Sequence, residues 1–225
     1  LKKLSRLDLS KVKIMWINYP HMPTGAAPSV SFFSEMIDFA RSNSILLVND
    51  NPYSFILNDN PLSIMNIDGA KDVCIELNSL SKSFNMAGWR LGFAVGKPAF
   101  ISNILKVKSN IDSGMFFPIQ MGAISALKQS KDWFLALNKE YSNRRKLMWQ
   151  LADKLNCRFS KNSSGMFVWA KINDKITSKE YVDNLLYDKN IFIAPGSIFG
   201  SNGEGYVRFS LCNSEANIIK AISRL

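Results

Sequence analysis

Four short, largely apolar runs constrain the fold of this chain more than any other feature, because each ends in, or is directly followed by, a polar or turn-forming residue. The runs span residues 12–18, 44–48, 73–77 and 91–95. Their length and apolar content are typical of strands buried inside a sheet. Between the first two, residues 31–42 carry apolar side chains at helical spacing, with Ser31 or Ser34 as the predicted N-cap. Strand, helix and strand in this order predict an α/β layer with a mostly parallel sheet.

After residue 97 the pattern changes to longer helices and then to a mixture of strands and helices. Helices are predicted at 98–110, 118–129, 133–155 and 178–188 and from residue 214, and strands at 166–171, 191–193 and 206–211. The last part is typical of a smaller α+β unit. We therefore expect a partial large domain at 1–140, an interdomain helix at about 133–155 and a small domain at 156–225.

Composition argues against several kinds of site. His21 is the only histidine, which argues against a histidine-based zinc site and a Ser-His-Asp triad, and we expect no metal. The cysteines Cys74, Cys157 and Cys212 are widely spaced and odd in number, as suits a reducing cytoplasm. No apolar stretch reaches the length of a membrane span, so we expect a soluble cytoplasmic protein without a membrane partner.

The net charge of +10 raises the question of nucleic-acid binding. The basic residues are scattered along the chain, and no stacking-aromatic module or zinc knuckle accompanies them. We therefore expect no nucleic-acid partner. Small anionic ligands that carry phosphate or carboxylate explain part of this charge better.

The run from residue 79 to residue 92, Ser-Leu-Ser-Lys-Ser-Phe-Asn-Met-Ala-Gly-Trp-Arg-Leu-Gly, carries the strongest chemical signal. Lys82 lies among hydroxyls, and a lysine becomes a carbonyl nucleophile when burial or a nearby cation such as Arg90 disfavours its ammonium form. The hydroxyls of Ser79 and Ser81 and the guanidinium of Arg90 suit a phosphate dianion. The alternative is a strand end followed by a loop with a surface lysine.

At this point the sequence resembles a known family, the class I/II aminotransferases, which are fold-type I enzymes that use pyridoxal phosphate. The run at 79–92 is similar to the family's cofactor-lysine signature. Residues 18–25 resemble its Asn-Pro-x-Asn-Pro-Thr-Gly turn, residues 48–53 its Asp-x-x-Tyr at a strand end, and Tyr206–Ser210 its strand with the substrate-carboxylate arginine. These landmarks occur in the family's order and span nearly the whole chain.

The resemblance implies a role for each candidate residue. Lys82 would bind pyridoxal 5'-phosphate covalently and then move a proton between substrate and cofactor, while Ser79, Ser81 and Arg90 would hold the phosphate. Asp50 would face the pyridine nitrogen, or else cap a turn. Tyr53 would bond the cofactor's 3-hydroxyl, or else be a half-buried loop residue. Arg208 would clamp the substrate carboxylate in two parallel bonds, or else form a surface ion pair.

The implied reaction is the transfer of an amino group between an amino acid and a 2-oxo acid by a homodimer. A lyase of the same fold is an alternative, since it shares the cofactor-holding residues. The family's segment before the Pro-Thr-Gly turn, with its phosphate loop and stacking ring, has no counterpart here. We therefore interpret the chain as a C-terminal portion, and a non-catalytic fragment that pairs with itself is the third reading.

Met22 departs from the family pattern. Many relatives carry asparagine immediately before Pro-Thr-Gly, where its amide helps to hold the 3-hydroxyl of the cofactor. A methionine at that position can only pack. The cofactor would then depend more on Tyr53.

Overall fold

The computed structural model describes residues 1–173 and 175–225, which divide into two compact units. The first unit comprises residues 1–20, 27–55 and 59–131, and the second comprises residues 21–26, 56–58 and 132–225. Each unit is built around a four-stranded sheet. The two short segments at 21–26 and 56–58 belong to the second unit although their chain neighbours belong to the first.

The sheet of the first unit is mostly parallel, as predicted. Its strands are β1 (Ile14–Asn18), β2 (Leu46–Asp50), β3 (Cys74–Ser79) and β4 (Gly92–Gly96), in that spatial order. The first three are parallel, and β4 is antiparallel to β3. The register places Asn18 opposite Asp50 and Asp50 opposite Leu77. The carboxyl ends of three strands therefore meet at one edge, where ligands of open α/β sheets bind.

The helices of the first unit are α1 (Val30–Ser42), α2 (Ala70–Val73), α3 (Leu80–Ser83), α4 (Pro98–Ile111) and α5 (Phe117–Leu127). On α1, the fully buried Phe33 and Ala40 pack with Leu47 of the sheet in one apolar core. The predicted cap at Ser31 or Ser34 is wrong. Ser29 has extended backbone, and its side chain accepts a hydrogen bond from the Phe32 N–H at 3.0 Å.

The second unit is α+β, and its sheet is entirely antiparallel. Its elements are α6 (Lys131–Lys154), β5 (Arg158–Phe159), β6 (Phe167–Lys171), α7 (Ser178–Lys189), β7 (Ala194–Pro195), β8 (Tyr206–Ser210) and α8 (Glu215–Ile222), with strand order β5-β6-β8-β7. The strand predicted at 191–193 is wrong. Ile191 and Ile193 are buried, but the Ile191 N–H closes the end of α7 on the Leu185 carbonyl, and pairing begins only at Ala194.

Two helices of the first unit remain apolar and uncovered. In α4 and α5, which lie wholly within the described residues, no side chain is buried. Large apolar side chains are exposed on and between them: Ile104, Leu105, Val107, Ile111, Phe116, Phe117, Met121, Ile124 and Leu127. A groove of about 500 Å³ beside α4 is lined almost entirely by apolar groups. A contiguous apolar surface of this kind marks a site of association.

A tight turn ties the separate segments of the second unit together. Gly25 has a φ of +71°, which favours glycine, and its carbonyl accepts a hydrogen bond from the Ser164 N–H at 2.8 Å. The Gly165 N–H donates to the Ile56 carbonyl at 2.7 Å. Residues 163–165 therefore hold segments 21–26 and 56–58 at once.

The turn predicts a large effect for Gly25→Ala. A Cβ at this position would lie 2.7 Å from the Ser164 carbonyl oxygen and 2.8 Å from Ser163 Cβ, in addition to the positive φ. We expect the free energy of unfolding to fall by roughly 2–4 kcal/mol in a urea titration. Gly205→Ala is the matched control, because its φ is +77° but nothing lies within 4 Å of the new Cβ. It should cost only about 1–2 kcal/mol. Equal losses would show that the contact with Ser164 is unimportant.

Candidate active site

Hydrogen bonds fasten the strand ends of the first unit to one another. Asn18 Nδ2 donates to the Asp50 backbone carbonyl at 2.6 Å, and the Asn51 N–H donates to the Leu77 carbonyl at 2.8 Å. The Tyr19 N–H donates to Asn49 Oδ1 at 3.2 Å. The backbone that carries Asp50 is therefore held from both neighbouring strands.

Asp50 and Tyr53 lie beyond the end of β2. Asp50 is exposed at its strand end, yet the protein atoms around its carboxylate displace part of the water there, and this desolvation raises its pKa because it disfavours the charged form. Tyr53, three residues on, is 9% exposed. A cationic partner, such as a protonated ring nitrogen, would therefore stabilise the ionised form of the Asp50 carboxylate.

Lys82 lies in a single helical turn directly after β3. Ser79 is the N-cap of α3, and its hydroxyl accepts a hydrogen bond from the Ser81 N–H at 3.2 Å. Leu80 is 1% exposed and anchors the turn in an apolar cluster. Ser81 and Lys82 are half-buried. Ser79 caps this turn and Leu80 is buried, so the next two side chains, Ser81 and Lys82, lie away from the core.

The run from residue 79 to residue 92 closes on itself. Ser79 lies opposite Gly92 in the β3–β4 ladder, and the Leu80 N–H donates to the Leu91 carbonyl at 3.1 Å. A Cβ on Gly92 would lie 2.6 Å from the Asn78 carbonyl oxygen, so only glycine permits this approach. Arg90, with a φ of +54°, is exposed and donates from Nη1 to the Ala87 carbonyl at 2.9 Å. We call residues 79–92 the lysine loop.

The groups at this edge match the chemistry of pyridoxal phosphate. Three serine hydroxyls, an ammonium and a guanidinium occur on the lysine loop, which contains no carboxylate, and this donor set suits a dianionic phosphate. A carboxylate with a raised pKa lies at the adjacent strand end and suits a ring nitrogen that carries a proton. The donor set therefore fits the cofactor.

A buried hydrogen-bond network around Glu76 was not predicted from the sequence. Glu76 on β3 is 3% exposed. Its Oε1 accepts from Ser63 Oγ at 2.9 Å and Asn78 Nδ2 at 3.2 Å, and its Oε2 accepts from the Ile64 N–H at 2.9 Å and Asn49 Nδ2 at 3.2 Å. The signal in the sequence was a single glutamate inside an otherwise apolar strand. This network fixes the Asn49 amide, which in turn holds the Tyr19 backbone.

Arg208 lies in the second unit, on β8, and is half-buried. Its Cζ lies 4.2 Å from the ring centroid of Phe167 and 4.6 Å from that of Phe199. Its Nη1 donates to Met22 Sδ at 3.3 Å. Within the second unit, this guanidinium therefore contacts two aromatic rings and a thioether.

Comparison with known proteins identifies the family. A model of the family described as aminotransferase class I and II matches residues 1–225. The chain belongs to the class I and II aminotransferases. The resemblance stated from the four sequence landmarks is thereby confirmed.

Individual relatives of this aminotransferase chain are longer than it is. The LL-diaminopimelate aminotransferase of Halothermothrix orenii is 40% identical over 227 residues, which cover 100% of this chain and 58% of that protein. The LL-diaminopimelate aminotransferase of Aquifex aeolicus is 37% identical over 217 residues, which cover 96% of this chain and 56% of that protein. An aromatic aminotransferase from Pyrococcus horikoshii superposes with a TM-score of 0.90 at 31% identity, covering 99% of this chain and 61% of that one. The chain thus spans somewhat more than half the length of these relatives.

Two negative observations concern the described part of the aminotransferase chain. None of its helices is long and apolar enough to cross a membrane. Within the same residues, no group of three or more histidine, cysteine, aspartate or glutamate side chains is arranged to hold a metal ion.

The Glu76 network predicts that Glu76→Gln is destabilising. Each carboxylate oxygen accepts two hydrogen bonds, so either orientation of the glutamine amide turns its NH₂ toward two donors. We expect a loss of roughly 2–4 kcal/mol in the free energy of unfolding, measured by denaturant titration. Glu35→Gln, an exposed position on α1, is the control and should change stability by less than about 0.5 kcal/mol. A small loss at Glu76 would contradict the network.

The raised pKa of Asp50 predicts a pH-dependent gain for Asp50→Asn in the cofactor-free protein. The folded state binds the Asp50 proton more tightly than the unfolded state. Ionisation of Asp50 therefore lowers the free energy of unfolding as the pH rises from 3.8, the ordinary pKa of an aspartate, through the raised pKa of Asp50 in the folded protein. Asparagine cannot ionise. The variant should therefore melt at a higher temperature than wild type at pH 7 and at the same temperature near pH 3. A difference in melting temperature that is the same at pH 3 and at pH 7 would contradict the raised pKa.

Proposed function

We propose that the whole protein transfers an amino group between an amino acid and a 2-oxo acid, with pyridoxal phosphate bound at Lys82. The observation that carries this proposal is the closed lysine loop, which presents Lys82 with Ser79, Ser81 and Arg90 at the carboxyl edge of the sheet. Membership of the class I and II aminotransferases supports it. LL-diaminopimelate is the class of amino donor that several relatives' names suggest.

The first unit would hold the cofactor. When bound, pyridoxal phosphate supplies an aldehyde that bonds to amines and a ring that withdraws electrons from the substrate carbon. Ser79, Ser81 and Arg90 would hold its phosphate, and the Tyr53 hydroxyl would bond its 3-hydroxyl. The Asp50 carboxylate would keep a proton on the ring nitrogen, because a charged partner offsets the burial that disfavours its ionised form.

Lys82 would have two roles in turnover. Its Nζ first holds the cofactor and then gives up that position to the amine of the incoming amino acid. As a free amine, Nζ would be the base that accepts the proton of the substrate carbon and the acid that later returns it. The capped turn that carries Lys82 restrains its backbone, so the proton would be moved by rotation of the side chain about its own bonds.

Arg208 would bind the carboxylate shared by amino acid and 2-oxo acid substrates. A guanidinium matches a carboxylate in two parallel hydrogen bonds, which a lysine cannot reproduce. The rings of Phe167 and Phe199 pack against the Arg208 guanidinium and replace part of the water around it. An ion pair in such surroundings is stronger than one in water.

We also propose that the protein is a cytoplasmic homodimer. The exposed apolar surface of α4 and α5 supports association, since such surfaces are rare on monomers. Cys74 and Cys157 are buried, Cys212 is exposed, and within the described residues none of the three is in a disulfide. Cysteines in the thiol form fit a reducing compartment.

For the 225-residue chain by itself, we propose association without turnover. The uncovered helices α4 and α5 favour this second reading, together with a length of 56–61% of the relatives. Pyridoxal phosphate should then bind this chain more weakly than it binds the whole protein, which a spectroscopic titration of both would measure. Equal affinities would contradict this reading.

The proposed function predicts that Lys82 alone is labelled by the cofactor. Borohydride reduction of the whole protein with pyridoxal phosphate should fix a phosphopyridoxyl group on Lys82, located by peptide mass spectrometry. Lys82→Ala should abolish the label and lower turnover by about 10³-fold or more. Lys106→Ala, an exposed control on α4, should leave both unchanged.

A label on another lysine would contradict the assignment. The same preparation separates amino transfer from a lyase reaction, because only amino transfer requires a 2-oxo acid for continued turnover. Turnover of the amino acid without any 2-oxo acid would favour the lyase.

A further inference from the structure

A cavity of about 390 Å³ lies in the second unit, where the edge of its sheet meets α8. Every residue that lines the cavity belongs to that unit. Six buried apolar side chains form the interior part of the lining: Met148, Leu151, Ile191, Ile193, Phe209 and Ile218. Ligand pockets typically measure about 300–1,000 Å³ and combine an apolar lining with a few polar groups. We call this space the α8 cavity.

The α8 cavity follows from the early end of strand pairing. The ladder between β7 and β8 comprises two residue pairs. Continued in the same register, the ladder would place Ile193 opposite Phe209. The Ile191 N–H instead donates to the Leu185 carbonyl at the end of α7. Residues 190–193 therefore leave the sheet edge, and they line the cavity together with Phe209.

Two basic side chains border the opening of the α8 cavity. Lys220 and Arg224 lie at the end of α8 and just beyond it, and both are exposed. Arg224 Nη1 donates to the Asn190 carbonyl at 2.6 Å. Within residues 1–173 and 175–225, no carboxylate forms an ion pair with either cation, and no aspartate or glutamate lines the cavity. An anion at this opening would therefore be attracted by two cations.

Amide groups supply further hydrogen-bond donors at the same opening. Asn213 and Asn217 line the cavity, and Asn217 Nδ2 donates to Asn213 Oδ1 at 2.9 Å. Positions 213, 217, 220 and 224 are separated by four, three and four residues, so they share one face of α8 and its flanks. Each oxygen of a carboxylate accepts about two hydrogen bonds, and amide and cationic N–H groups provide them.

The interior of the α8 cavity and the Arg208 guanidinium lie on opposite faces of the sheet, although Arg208 also contributes to the lining. Side chains alternate between the two faces along β8, so those of Arg208 and Phe209 point in opposite directions. The guanidinium contacts Phe167, whose register partner Ser210 shares its face. Phe209 is opposite Val168 and shares the other face with it. A ligand in the interior of the cavity would therefore be separated from the guanidinium by β8.

We propose that the α8 cavity binds a small organic carboxylate with an apolar body. The buried side chains receive the apolar body, which leaves water on binding. Lys220, Arg224 and the neighbouring amides bind the carboxylate at the opening. The site goes beyond the proposed amino transfer, because it uses neither Lys82 nor the cofactor.

Methyl spectra of the whole protein with bound cofactor, labelled on isoleucine, test the proposal. The Ile218 resonance is assigned by its absence from Ile218→Val. Octanoate should shift this resonance saturably. Acetate lacks the apolar body and 1-octanol lacks the charge, so each should bind at least about tenfold more weakly. No shift at Ile218, or equal affinities for octanoate and 1-octanol, would overturn the proposal.

Charge reversal at the opening provides the second criterion. Lys220→Glu should weaken octanoate binding about tenfold or more and leave 1-octanol binding unchanged, which also shows that the variant keeps its fold. Lys146→Glu is the matched control, because it is exposed on α6, lies outside the lining and changes the net charge equally. It should retain the wild-type affinity within about twofold. Equal weakening by both variants would overturn the proposal.

A third variant separates this site from the proposed substrate-carboxylate site. Arg208→Lys should leave the octanoate shift at Ile218 in place, because the guanidinium lies on the other face of β8. Loss of the shift in Arg208→Lys would assign octanoate to the substrate-carboxylate site and overturn the proposal. A saturable shift in a protein that transfers no amino group would refute the proposed function and support the α8 cavity as a site.

Discussion

The carboxylate of Glu76 holds the ligand-facing edge of the first unit in place, although it performs none of the proposed chemistry. A buried charge is costly unless hydrogen bonds replace its hydration, and four donors do so here. One of them, the Asn49 amide, is thereby oriented to accept from the Tyr19 N–H, directly after the residue that bonds the Asp50 carbonyl. The position of Asp50 thus depends on a side chain that faces the interior of the protein.

Much of the fold was predictable from sequence, because buried strands and amphipathic helices depend on local patterns. The strands that end at Asn18, Asp50 and Ser79 followed from apolar runs and placed three candidate residues at one edge. Non-local contacts were not predictable in this way. The donors to Glu76 come from three separate segments, and the partner of Met22 is 186 residues distant. Ile191 and Ile193 misled the strand prediction because burial beside a helix end produces the same alternation as pairing.

The residues proposed to bind the cofactor and those proposed to bind the substrate carboxylate lie in different units. Lys82, Asp50 and the hydroxyls of the lysine loop belong to the first, whereas Arg208 belongs to the second. Each unit has its own sheet and its own core, so a substitution that alters carboxylate recognition need not disturb the residues proposed for the cofactor.

The hydrogen bonds from Ser164 to Gly25 and from Gly165 to Ile56 also limit how the second unit can be exchanged between genes. Because the second unit draws on three stretches of sequence, a gene fragment that encodes only residues 132–225 would omit the turn with Met22 and the Ile56 segment. Recombination at a single crossover therefore cannot transfer the second unit by itself into another protein. We therefore expect substrate specificity to change by point substitution rather than by exchange of whole units between genes.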